Sequence, residues 1–133
     1  MRLLVYCNFV YDLVSSRRDV YVDYINIKVS RGRRKGRIQG LVHFWDSSLL
    51  RFEEAVVEHG IVSVVTDYVY HYQSADGALL FRYDNSPHYP DLATFPHHKH
   101  VATAGSETVE PAQPPTLAEV LREIDSLLYA SSA

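Results

Sequence analysis

Cysteine is almost absent from this chain. Cys7 stands alone among 133 residues, so no intramolecular disulfide can form, which suits a reducing compartment and excludes a disulfide-stapled secreted domain. Glycine and proline are scarce as well, at six of each, and collagen-like or low-complexity organisation is excluded with them. Long apolar runs are missing. The opening Met1-Arg2-Leu3-Leu4-Val5 is interrupted by Asn8 and Asp12, and no other stretch approaches the roughly 18 apolar residues of a membrane span. The expectation is a soluble, cytoplasmic protein with no membrane partner. Strong net charge is lacking too: at −3 the chain has no global cationic field, so any affinity for nucleic acid must come from a local patch. Neither a Walker loop, a dinucleotide glycine motif, a catalytic Ser elbow nor zinc-finger spacing occurs.

What is present is enough to build a core, since 47% of residues are hydrophobic and 12% aromatic. The length fits one domain over residues 1–133. Leu3, Tyr6, Val10 and Leu13, with Phe9 and Val14 beside them, recur at three- and four-residue steps, which predicts a helix over 3–15, with a strand as the competing reading because β-branched and aromatic residues are frequent there. From Val20 to Val29 the period changes to two, the signature of a strand. Further strands are expected over 37–45, 49–57 and 61–73. Asp76-Gly77 supplies the positive φ of a tight reversal into a fifth. A loop symmetric about the four-residue turn Ser74-Ala75-Asp76-Gly77 pairs His71 with Leu80, Val69 with Arg82 and Asp67 with Asp84, leaving Tyr68, Tyr70 and Tyr72 on the other face. Small, acidic and proline-containing residues over about 102–114 read as a linker. Thr116 with Glu119 then makes a capping box ahead of the stripe Leu117, Val120, Leu121, Ile124, Leu127 and Leu128. The expected class is α+β: a curved antiparallel sheet of about five strands with an N-terminal and a C-terminal helix.

The chemistry concentrates between Arg82 and His100, where Arg82, Asp84, Lys99 and four of the seven histidines fall within nineteen residues. Two imidazoles near a phosphodiester can act as base and acid while a cation stabilises the developing charge, and RNA brings its own 2′-hydroxyl nucleophile. Under that reading His98 and His88 are candidate base and acid, His100 their substitute or orienter, and Arg82 a phosphate clamp. Asp84 holds an imidazole in its tautomer, and no metal or cofactor is needed. Two alternatives stand beside it. The histidines can be loop residues that pin a proline-rich segment to the sheet. With Asp84, His88, His98 and His100 also offer donors for zinc, which would make the protein a metal-dependent hydrolase. Arg31, Arg33, Arg34, Lys35 and Arg37 put five of the thirteen basic residues into one hairpin tip, a candidate RNA contact or a solvated turn that protects a sheet edge. Glu54, in a strand among apolar neighbours, either points outward or is a carboxylate kept near the site.

The string Phe81-Arg82-Tyr83-Asp84-Asn85-Ser86-Pro87-His88, with Thr94-Phe95-Pro96-His97-His98-Lys99-His100 and then Pro115-Thr116-Leu117-Ala118-Glu119-Val120-Leu121, resembles the small proteins of the TumE toxin family. The likeness is close over residues 61–128 and looser upstream. It implies a growth-inhibiting toxin of a type II toxin-antitoxin pair, with a cognate antitoxin as partner. The family's Leu-x-x-x-Glu strand matches Leu50 to Glu54, which implies a site role for Glu54. RNA cleavage is the reading of the histidines; a non-enzymatic toxin acting by occupancy of a cellular target is its rival.

Overall fold

The first apolar segment forms helix α1 (Leu3–Ser15), as its spacing predicts, and buries Leu3, Cys7, Val10 and Val14. The chain then alternates in period two through β1 (Val20–Val29), β2 (Lys35–Phe44), β3 (Leu49–His59), β4 (Val62–Gln73), β5 (Leu79–Asp84), β6 (His98–Thr103) and β7 (Ser106–Pro111). Helix α2 (Leu117–Leu128) follows. This computed structural model describes residues 1–130. Each strand pairs antiparallel with its predecessor, so the curved sheet runs from β1 to β7 in chain order and the class is α+β. No helix among the described residues is long and apolar enough to cross a membrane.

The sheet has seven strands rather than five because most of the expected linker over 102–114 is strand. Thr103 faces Ser106 across a two-residue turn in which Ala104 and Gly105 have φ of 50° and 82°. Both positive angles fit the tight turn whose twist matches that of a hairpin. The register after Asp76-Gly77 also differs from expectation. His71 pairs with Arg82 and Val69 with Asp84, two residues from the predicted partners, because Ala78 joins the loop, its carbonyl accepting from the Ser74 N–H, and a bulge between Tyr72 and Gln73 shifts the register by one residue more. A two-residue displacement keeps every side chain on its face, so the predicted division into a tyrosine face and a polar face holds.

Both helices cover the tyrosine face. Ile38, Val42, Leu50, Phe52, Val56, Tyr68, Tyr70, Tyr72 and Phe81 are buried there with the apolar residues of α1 and α2. Gly40 lies opposite Phe52, and a Cβ at this position would sit 2.3 Å from the ring, so only glycine admits the aromatic across the strand. The predicted capping box forms: Thr116 Oγ1 accepts from the Glu119 N–H at 3.2 Å, and the Thr116 N–H donates to Glu119 Oε1 at 3.0 Å. Glu123 of α2 accepts from Lys99 Nζ at 2.7 Å and from the Tyr83 hydroxyl at 2.6 Å, fixing β5 and β6 from the helix side. The opposite face of the sheet carries no helix among the described residues, and it is there that the polar side chains converge.

Candidate functional site

In antiparallel pairs, residues directly opposite share a face with their side chains in contact range. β5 and β6 pair Arg82 with His100 and Asp84 with His98, which places all four on the helix-free face. Residues 85–97 turn back over this end of the strands and bring Ser86, His88 and Tyr89 to the same place. Together with Glu107 of β7 they line an open cleft of about 280 Å³.

Asp84 is the hub. Its Oδ1 accepts from the Ser86 N–H at 3.0 Å and lies 3.0 Å from His98 Nε2, while its Oδ2 accepts from Arg82 Nε at 3.0 Å. Burial by itself would raise the Asp84 pKa, but the Ser86 N–H, Arg82 and His98 outweigh it and hold the carboxyl below its ordinary value. His98 is 1% exposed, and its Nδ1 donates to the Pro96 carbonyl at 2.9 Å. Its Nε2 faces the Asp84 carboxylate, so the two ring nitrogens are held by a carbonyl on one side and a carboxylate on the other. Both nitrogens are engaged and the ring is enclosed. The residue read as the base thus lies enclosed against Asp84.

His100 has the geometry a base needs. Its Nδ1 lies 3.0 Å from Glu107 Oε1, and its Nε2, 3.7 Å from Asp84 Oδ2, is beyond hydrogen-bond distance of that oxygen. An ionised glutamate on Nδ1 fixes the tautomer that leaves Nε2 free, as a carboxylate does for the imidazole of a catalytic triad. Tyr89 stands edge-on to both rings, 4.9 Å from the centre of His98 and 5.9 Å from that of His100. His88 lines the mouth and is exposed. Glu107 and Tyr89 escaped the sequence reading. Glu107 lay in the supposed linker, and the signal that could have found it was the alternation of Glu107, Val109 and Pro111 after a reversal at Ala104-Gly105.

Glu54 is elsewhere. It is fully buried on the tyrosine face, where its carboxylate accepts from the hydroxyls of Tyr6 and Tyr70. Burial raises its pKa against the opposing pull of those two donors. Strand alternation thus puts it on the far side of the sheet from Asp84. His97 likewise points to the helix side, with Nδ1 2.9 Å from the Tyr68 hydroxyl, while its neighbour His98 points into the cleft. Arg31, Arg33, Arg34, Lys35 and Arg37 are all exposed around the β1–β2 turn. Only Arg37 of these approaches the cleft, along a hollow of about 180 Å³ that it shares with Glu53, Asp67 and Ser86.

Asp84, His98 and His100 each offer a metal-ligand atom, and these atoms lie within 4.8 Å of one another. His88, the third histidine of the expected zinc set, is outside this group. A cation here would have to replace the contact between His98 and Asp84, and it would share the carboxylate with Arg82.

A family model described as Toxin TumE matches residues 10–128. No curated protein and no solved structure matches the chain.

Proposed function

The chain belongs to the TumE toxin family, and from that membership we propose that it is the toxin of a type II toxin-antitoxin pair which cleaves RNA, without a metal, in the Arg82–His100 cleft. The observation that carries this reading is the His100 ring, backed by Glu107 on Nδ1 and unbonded at Nε2, beside an arginine and a second, exposed histidine. In the proposed step His100 Nε2 takes the proton of a 2′-hydroxyl. The freed oxygen attacks the adjacent phosphorus and forms the P–O2′ bond while the P–O5′ bond breaks. His88 gives its proton to the leaving 5′-oxygen, and a 2′,3′-cyclic phosphate remains, so neither water nor a cofactor enters. Arg82 keeps its terminal guanidinium nitrogens for the phosphate, since only Nε is spent on Asp84. Asp84 and His98 act as positioning residues. The exposed basic hairpin adds long-range attraction for a polyanion. A cognate antitoxin restrains the protein by covering the cleft.

The test is incubation of antitoxin-free protein with total RNA, with and without EDTA, beside His100→Ala. Loss of one acid-base group removes about 10²–10⁴-fold of rate. Cleavage by the native protein in EDTA, falling by at least the lower figure in the variant with its unfolding midpoint preserved, is the expected result. The Asp84, His98 and His100 grouping favours a second reading, a zinc-dependent hydrolase, in which EDTA abolishes cleavage and metal analysis of the purified protein finds zinc. A folded, growth-inhibiting protein that leaves RNA intact in both arms would point to a non-enzymatic toxin.

A further inference from the structure

The pairing that builds the cleft extends well beyond it. Arg51 of β3 lies opposite His71 of β4, His71 opposite Arg82 of β5, and Arg82 opposite His100 of β6, so four polar side chains form one row across four strands on the helix-free face. On the far side of Arg51 the row continues through Leu41 to Tyr24 in β1. We propose that the RNA strand carrying the scissile phosphate lies along this row, with Arg51 holding the phosphate next to it; the proposal rests on the RNA-cleaving reading of the cleft.

Arg51 is exposed and makes no ion pair among the described residues, so its charge is free for a ligand. It stands two strand spacings, about 10 Å, from Arg82, within reach of the neighbouring phosphate of an extended strand. His71 fills the interval. Its Nδ1 is buried without a hydrogen-bond partner, and its Nε2 is 3.0 Å from Gln73 Oε1. Burial, then Arg51 and Arg82, lower its pKa against the pull of Gln73, which disfavours the charged ring and leaves the two guanidinium groups as the anion-seeking points of the row.

Exposed aromatics stand at both ends, Tyr24 and Tyr89, each 37% accessible. A cationic line flanked by accessible ring faces is the combination that single-stranded nucleic acid uses, phosphates on the charges and bases on the rings. The other route, from the cleft to the basic hairpin, passes the carboxylates of Glu53 and Asp67 and repels a phosphate chain. Charge therefore selects the row over the hairpin, although the hairpin holds more arginines.

The experiment measures binding of a labelled, mixed-sequence 2′-O-methyl oligoribonucleotide, which lacks the nucleophile, to the full chain at several salt concentrations. Arg51→Glu is compared with Arg51→Lys and with Arg122→Glu, an identical charge change on an exposed position of α2. We expect Arg51→Glu to weaken binding by about tenfold and to flatten the salt slope by about 0.7, with Lys restoring much of the affinity and Arg122→Glu leaving it unchanged. Native-like affinity in Arg51→Glu, or an equal loss in Arg122→Glu, overturns the row. If the native protein cleaves RNA while Arg51→Glu binds normally, the row alone is wrong. A native protein that neither binds nor cleaves removes the row and the cleavage reading together.

Discussion

Asp84 and Glu54 are both buried carboxyls, one on each face of the sheet, and their surroundings push them in opposite directions. The Asp84 pKa is held down in the fold, so its contribution is present above the ordinary Asp value and is lost as pH falls through the folded one. Asp84→Asn leaves buried His98 facing an amide and Arg82 without its anion. Breaking a buried pair by removing one partner costs about 3 kcal/mol. A urea unfolding series should show that loss at pH 7 and a smaller one at strongly acidic pH, where the native carboxyl is itself protonated. Glu54 behaves with the reverse sign. Its pKa is raised, so the stability it adds is complete below the ordinary Glu value and is lost as pH rises through the folded one. Glu54→Gln keeps the shape and never ionises. Its midpoint should overtake that of the native protein as pH rises, and a native protein that stays ahead at alkaline pH would contradict the assignment. Of these two residues only Asp84 was legible in the sequence, because Arg-x-Asp on an alternating strand puts both on one face. The matched Leu-x-x-x-Glu pattern marks Glu54, but it does not disclose that two tyrosine hydroxyls wait for it inside the core.

Among the elements, both helices and four strands follow from periodicity, and the capping box of α2 could be read atom by atom. The β6–β7 hairpin could not. Its reversal uses Ala104, with a Cβ that the left-handed region disfavours, where Asn or Asp would have announced a turn. Ala104→Gly should therefore stabilise the protein by roughly 1 kcal/mol in urea unfolding. A decrease instead would show that the cost to unfolded-chain entropy outweighs the relief. The element matters to the cleft because Glu107 sits two residues beyond the turn and orients His100 from an edge strand. Bulges were equally hidden. The bulge between Tyr72 and Gln73 has no composition of its own, and together with a loop one residue longer than expected it puts Arg82 opposite His71 rather than Val69.

At the level of the whole molecule the sheet separates two kinds of work. One face is closed by α1 and α2 and holds the apolar core; the other is uncovered and collects Arg51, His71, Arg82 and His100. That division was legible, since alternation alone sorts tyrosines from charges. Arg82, Asp84, His88, His98 and His100 were legible as a cluster, without Tyr89 and Glu107, but not as an arrangement: neither the burial of His98 nor the unbonded Nε2 of His100 follows from two identical residues spaced by one. The strict chain-order meander has a consequence for synthesis. Each strand needs only its predecessor in order to pair, so the sheet can grow hairpin by hairpin as the polypeptide leaves the ribosome. The cleft draws on residues from Arg82 to Glu107 and is complete only when β7 has docked. A producing cell thus carries the half-made protein with its core under construction, and the His100 imidazole gains its Glu107 neighbour only at the last hairpin.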